Sequence, residues 1–395
     1  MQMRIKDVVV LIVVLFLACK GVAQVETAIL LPEKKDSIAS RYLDRKQEIL
    51  IHLPGSYAKS GLNYPVIVYL DGQDQGLKNL LISNLDRLMY GREIPEAIVI
   101  GIPHHHGRGD LSIESASEDT TPFMKFVTTE LISFLDQNYR TLDFRTFIGH
   151  SLGGQFLAYS MTRYPDVFNA VIAISPALNY PDTESWYKRK TLTALEHFAQ
   201  GKRHNHLYFC VGDAGFQDAG FKTGAEELAA ILTNANNSGL YWKFDVLPGF
   251  THGSSPAAGI PMGLIQVFKY WPFLETRSYE ILVKNQGSPL KEVLEQEARI
   301  KDIYGVDIPL PRSVYWQFGK YELGKGNYDN AVKFFEKNMA LDKNGSTPRS
   351  LMGDALAKMG KKEAAKKYYQ EAINLLKEGE SRKELEEKIK QLDGN

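Results

Sequence analysis

The sequence predicts an α/β protein: a mostly parallel central sheet covered by helices on both faces, with an all-α segment of helical repeats at its C-terminal end. Three observations carry this. Between residues 65 and 247, short apolar runs of the buried-strand kind alternate with longer stretches of helical spacing. One run ends in Gly149-His150-Ser151-Leu152-Gly153-Gly154 and leads directly into a helix-like stretch at 155–164. Beyond Pro311 the sequence repeats itself with a period of 34 residues.

Residues 26–53 hold a first strand pair, closed by Pro54-Gly55. The apolar run 65–70 then stops at Asp71-Gly72-Gln73, where a glycine at the end of a buried strand lets backbone approach a ligand. A helix over 77–89 leads to a strand at 97–102, whose exit loop carries His104, His105 and His106. Consecutive histidines share no helix face, and no partner at metal-ligand spacing accompanies them. The loop therefore reads as a polar rim, and no metal or organic cofactor is expected. A helix spans 122–139, with Phe123, Phe126, Val127, Leu131, Phe134 and Leu135 at helical spacing. After the strand and helix around Ser151 come strands at 170–175, 206–212 and 241–247, with helices around 192–198 and over 223–235 between them. Parallel sheets of this kind carry their sites at the strand C-terminal ends.

The chain has 395 residues, with 44% hydrophobic and 24% charged, which is ordinary for a soluble globular protein. Its 47 basic and 47 acidic side chains balance, so no global field draws it to nucleic acid or anionic membrane. Arg4 and Lys6 precede an apolar run at 8–18, followed by Gly21-Val22-Ala23. This reads as a secretory signal cleaved after Ala23, which leaves Gln24 first and places the protein in the periplasm or outside the cell. The run is well short of the ~20 residues of a spanning helix. The alternative is a lipid anchor on Cys19, although Phe16-Leu17-Ala18 before it fits that reading poorly. Once the signal is removed, Cys210 has no disulfide partner and reads as a buried thiol.

The Gly-x-Ser-x-Gly turn between a strand and a helix is the nucleophile-elbow pattern. Glycines at 149 and 153 relieve backbone collisions in a strained turn that exposes the Ser151 hydroxyl, and the helix N-terminal amides face any oxyanion formed there. The backbone N–H groups of Gln73 and Leu152 are the expected oxyanion donors. The base is expected at His252, just past the last strand, because the order Ser, acid, His is the one this sheet architecture uses. The acid is Asp218 or Asp213, both following the strand that ends at Gly212, with Asp218 better spaced; a Ser-His dyad remains open. Arg108 and His150 are the substrate-contact candidates, and Arg108 has the alternative of orienting its loop.

Several segments within about 36–275 resemble the esterase family of α/β hydrolases, which includes esterase D-type enzymes, ferric-enterobactin esterase-like proteins, carbohydrate esterase family 1 and mycolyltransferases. They are Leu53-Pro54 through Tyr57, Val68 to Gly72, Ile94-Pro95-Glu96 through Gly101, the Gly149 to Gly154 elbow, and Ser175-Pro176-Ala177-Leu178. The resemblance implies an α/β-hydrolase fold and a serine esterase working through an acyl-enzyme. It implies no particular substrate; acylated carbohydrate and siderophore esters are candidates. Transfer to an acceptor other than water is the alternative chemistry.

In the tail, Ser288-Pro289 opens a helical stretch to residue 304, and Pro309-Leu310-Pro311 follows. Gly319 then pairs with Gly353, Gly326 with Gly360, Ala331 with Ala365, and Phe335 with Tyr369. This resembles the tetratricopeptide repeat, with 380–392 as a polar capping helix. Two repeats are few for a free solenoid, so packing on the catalytic domain, self-association or a protein partner is expected. The resulting division is a signal at 1–23, a hydrolase domain at 24–275, a helical linker at 276–311 and repeats at 312–395. The remaining alternative is an interaction protein with an inactive hydrolase domain.

Overall fold

The computed structural model describes residues 30, 32–104, 107–113, 120–178, 186–201, 204–273, 275–285, 287–376 and 381–394. The predicted signal, Cys19, His105 and His106 lie outside these. Among the described residues, eight strands form one sheet: β1 (Lys34–Ser40), β2 (Arg45–His52), β3 (Tyr64–Leu70), β4 (Ile98–Ile102), β5 (Thr141–His150), β6 (Ala170–Ile174), β7 (Asn205–Gly212) and β8 (Leu240–Leu247). Their order is β1-β2-β4-β3-β5-β6-β7-β8. The β1–β2 and β2–β4 pairs are antiparallel, and every later pair is parallel.

The side chains of β3 show why the predicted strands read as unbroken apolar runs. Val66, Val68 and Leu70 enter one core layer, and Ile67 and Tyr69 enter the other, so both faces are buried. One layer is covered by four helical elements. The first, α2, is a continuous helix from Pro122–Lys125 through Phe126–Leu131 to Ile132–Asn138; the others are α3 (Leu152–Arg163), α4 (Trp186–Ala199) and α5 (Phe216–Ala235). The opposite layer is covered by α1 (Gln75–Gly91), α6 (Pro256–Phe268), α7 (Glu275–Leu282) and α8 (Pro289–Tyr304). The outer strand β1 carries exposed Lys34 and Lys35, charges of the kind that guard a sheet edge.

The 122–139 stretch is helical as predicted but contains a π turn at Phe126–Leu131. Thr128 and Thr129 donate their hydroxyls to the carbonyls of Met124 and Lys125 at 2.8 and 2.6 Å. Hydroxyls competing for carbonyls one turn back loosen the regular helix ladder.

The expected linker at 276–311 is part of the core. Helix α8 buries Val293, Ile300, Ile303 and Tyr304 in the same layer as β3, β5 and α6. Tyr304 stacks on His206 at 5.3 Å and meets Phe144 edge-on at 5.1 Å. Trp271 Nε1 donates to Pro309 O at 3.0 Å. The first repeat, α9 (Arg312–Lys325) and α10 (Tyr328–Leu341), shares this layer through Val314, Tyr315, Phe318 and Phe334.

The second repeat, α11 (Ser346–Lys358) and α12 (Lys362–Asn374), has a separate core with Ala331 and Phe335 of α10 and Leu385 of α13 (Arg382–Asp393). The sequence pairing is visible as geometry. A side chain at Gly319 would lie 2.6 Å from the Phe335 ring, and one at Gly353 the same distance from Tyr369 Cδ1. Each aromatic fills the space its glycine leaves.

Repeats and sheet meet at one end. Lys343 N donates to Lys59 O at 3.2 Å, shortly before β3 begins, and His206 and Tyr241 at the starts of β7 and β8 stack together at 4.9 Å beside Tyr304. This is the N-terminal end of the parallel strands.

Candidate active site

The opposite end gathers the predicted residues. Ser151 follows β5 directly and has φ 59° and ψ −120°, a conformation costly for a side chain-bearing residue. Its N–H donates to Ile174 O at 2.9 Å, and its carbonyl accepts from Ala177 N and Gln155 N at 3.2 and 3.1 Å. A side chain at Gly149 would lie 2.6 Å from the backbone carbon of Gly153. At Gly153 the nearest atom would be Leu70 Cδ1 at 3.3 Å. The elbow thus depends far more on Gly149 than on Gly153, whereas the sequence pattern weights them equally.

The β7 exit distinguishes the two candidate acids. Asp218, in the first turn of α5, is fully buried, and its Oδ1 lies 2.8 Å from His252 Nδ1. Its Oδ2 accepts from Gly212 N at 2.9 Å and from the Ser175 hydroxyl at 3.1 Å. These three donors compensate a buried carboxylate. Asp213 is exposed and accepts from Gly249 N at 2.6 Å, so the expectation that it serves as the acid is corrected: it braces the loop that carries His252. The strand ends in a glycine because a side chain at Gly212 would lie 2.6 Å from Asp218 Oδ2 and would also strike Phe250 O.

His252 lies in the turn between β8 and α6, with Phe221 edge-on at 5.2 Å. Its carbonyl is 2.9 Å from His150 Nε2, and the two imidazoles are 4.4 Å apart. His150 therefore points at the base loop, and its ring nitrogen is engaged within the protein. The expected substrate contact at His150 thus sits beside the base loop, with Nε2 already bonded there. Burial, with the neighbouring His252 adding to it, pushes the His150 imidazole down to about 4, so it is neutral near pH 7.

Arg108 takes the loop-orienting alternative. Its Nη2 donates to Asp71 Oδ2 at 3.0 Å and to His150 O at 2.7 Å. His104 is buried against the Phe123 ring at 5.1 Å, so it is a core side chain where the sequence suggests a polar rim.

The Asp71-Gly72-Gln73 turn crosses the end of β3 with Asp71 at φ 59°. Gly72 N donates to Ile102 O at 3.0 Å, and the Gln73 side chain accepts from His104 N at 2.7 Å. Among the described residues, the N–H groups of Gln73 and Leu152 donate to no protein acceptor. Unused amides beside a strained serine are what an oxyanion site requires.

Three residues of this end were not singled out by the sequence reading as site residues: Asp71, Ser175 and Ser255. Ser175 lies within one of the segments that resemble the family. Its signal is the Ser-Pro pair that ends a buried strand. Ser255 carries no signal beyond its place three residues after His252. Among the described residues, no group of three or more His, Cys, Asp or Glu side chains is placed to hold a metal ion.

Residues 40–253 match the family described as "Putative esterase", and residues 313–344 and 349–375 match the tetratricopeptide repeat. The uncharacterised protein YjcH of Bacillus subtilis (strain 168) is 28% identical over 141 residues, which is 35% of this chain and 58% of that protein. The chain thus spans little more than half the length of that curated relative. An IroE-like serine hydrolase from Shewanella oneidensis shares the fold at 20% identity and a TM-score of 0.64, covering 78% of this chain and 99% of that one. An uncharacterised protein from Capnocytophaga ochracea DSM 7271 does so at 17% identity and a TM-score of 0.65, covering 92% and 100%.

Proposed function

We propose, from the premise that this chain belongs to the Putative esterase family, that it is a carboxylic ester hydrolase working through a Ser151-His252-Asp218 triad and an acyl-enzyme. Ser151 Oγ attacks the ester carbonyl while His252 Nε2 takes its proton. Asp218 holds the imidazole through Nδ1 and stabilises the imidazolium. The amides of Gln73 and Leu152 take the oxyanion. Collapse returns the proton from His252 to the departing alkoxide, and water, activated in the same way, releases the acid.

The observation that carries this reading is the 2.8 Å contact between His252 Nδ1 and a buried Asp218, on a histidine whose ring lies against the elbow residue His150. The finer reading is a periplasmic or secreted enzyme, exported by residues 1–23, acting on acylated carbohydrate or siderophore esters. The repeats are read as a site for a protein partner, at the end of the molecule away from the chemistry.

The test is fluorophosphonate labelling of residues 24–395, located by peptide mass, with p-nitrophenyl acetate turnover measured in parallel. Label on Ser151, with turnover lost in Ser151→Ala and His252→Ala, supports the triad. Turnover that survives Ser151→Ala refutes it. A panel of feruloyl, acetyl-polysaccharide and catecholate-lactone esters then tests the substrate class.

A further inference from the structure

We propose that Ser175 and Ser255 are positioning residues for this reaction: a relay of two hydroxyls that fixes the second oxygen of Asp218. The proposal rests on the triad reading above.

The contacts close a ring. His252 Nδ1 meets Asp218 Oδ1 at 2.8 Å, and Asp218 Oδ2 accepts from Ser175 Oγ at 3.1 Å. Ser175 Oγ lies 2.8 Å from Ser255 Oγ, and Ser255 Oγ lies 3.1 Å from His252 O. Both serines are fully buried.

Proton counting sets the direction of the relay. Three oxygen–oxygen contacts share two hydroxyl protons, so one contact has none. The His252 carbonyl already has a donor in His150 Nε2 at 2.9 Å. Asp218 Oδ2 needs donors because it is buried. The consistent arrangement sends the Ser255 proton to Ser175 and the Ser175 proton to Asp218. Each hydroxyl then polarises the next toward the carboxylate.

Backbone geometry aims the relay. Ser175 has φ 40°, and its N–H donates to Cys210 O at 2.7 Å, pinning it across the ends of β6 and β7. A residue without a side chain would adopt this conformation more readily, yet a hydroxyl stands there and points at the acid. A carboxylate held by one oxygen can still rotate about its Cβ–Cγ bond. Held at Oδ2 by Gly212 N–H and Ser175 together, it keeps Oδ1 on the imidazole while His252 changes charge.

The experiment compares Ser175→Gly, Ser255→Ala and their double variant in the full chain, with Ser151→Ala in the same series. Glycine suits the positive φ, so Ser175→Gly removes the hydroxyl without adding strain. The readouts are kcat and KM on p-nitrophenyl acetate and the downfield NMR resonance of the His252 Nδ1 proton. The expected result is a kcat about tenfold lower in Ser175→Gly and about threefold lower in Ser255→Ala, with KM within about twofold and the resonance shifted in both. The double variant is expected to be no slower than Ser175→Gly, because Ser255 acts through Ser175. Single variants that keep wild-type kcat and an unmoved resonance overturn the relay. So do effects that multiply in the double variant, since independent packing losses behave that way. Loss of turnover in Ser151→Ala keeps the triad reading standing in either case, and its survival there would indict that reading instead.

Discussion

Asp213 and Asp218 leave the same strand end, and the distinction between them is testable. Asp218→Asn removes the charge paired with His252 Nδ1 and is expected to lower kcat by about 10³ to 10⁴. Asp213→Asn is expected to stay within about threefold of wild type, because its carboxylate braces a backbone amide. Steady-state turnover of both variants checks this. That Ser151, His252 and Asp218 gather at the strand exits was legible, because each sits at a fixed place relative to a strand end. Ser255 was not, because its role exists only after β6, α5 and α6 bring three chain segments together. His150 and Arg108 leave their roles open in the sequence for a related reason. Polar residues at a site mouth look like substrate contacts until their partners within the protein are seen.

At the scale of elements, the strand exits are shaped by what cannot fit. Gly212→Ala places a side chain against Asp218 Oδ2 and Phe250 O. It is expected to cost on the order of 1–3 kcal/mol of stability and most of the activity, measured by urea unfolding and turnover. Gly153→Ala meets side-chain atoms of Leu70, Arg108 and Asp71 at 3.3, 3.5 and 3.7 Å, so its loss of stability is expected to be smaller than that of Gly149→Ala in the same measurements. The strands were legible as apolar runs, because parallel strands buried on both faces leave no polar alternation to interpret. The π turn in α2 was not, because helical spacing registers apolar residues and is blind to two threonines competing for carbonyls.

At the scale of the whole molecule, the boundary expected near residue 275 is absent from the packing. Helix α8 and the first repeat finish a core layer that the sheet begins. A chain ending at residue 275 is expected to be insoluble or unfolded. One ending at residue 344 is expected to keep turnover within about twofold and lose part of its thermal stability, because it sacrifices only the second repeat's own core. Expression and melting of the two truncations check this. The repeat period was legible from glycine and aromatic spacing; the shared layer was not, since apolar helix faces do not name their partners.

The same junction carries a pH signature. Burial pushes His206 down to about 4, as it does His150. Between that value and the ordinary 6.5, the unfolded chain binds protons that the folded chain refuses. Stability is therefore complete above pH 6.5 and falls as pH drops toward 4, by on the order of 3 kcal/mol for each histidine. In His206→Phe, urea midpoints followed from pH 7 to 4 are expected to fall less steeply than in the wild type.

The site opens where the parallel strands end, and the repeats join where they begin. Anything gripped by the repeats is therefore held behind the enzyme, and the mouth points away from it. Tethering such a molecule changes where it works and which esters it meets, and leaves the rate of each encounter alone. Its selectivity would then be partly a matter of address: the same catalytic face, stationed on different supports, would consume different substrates.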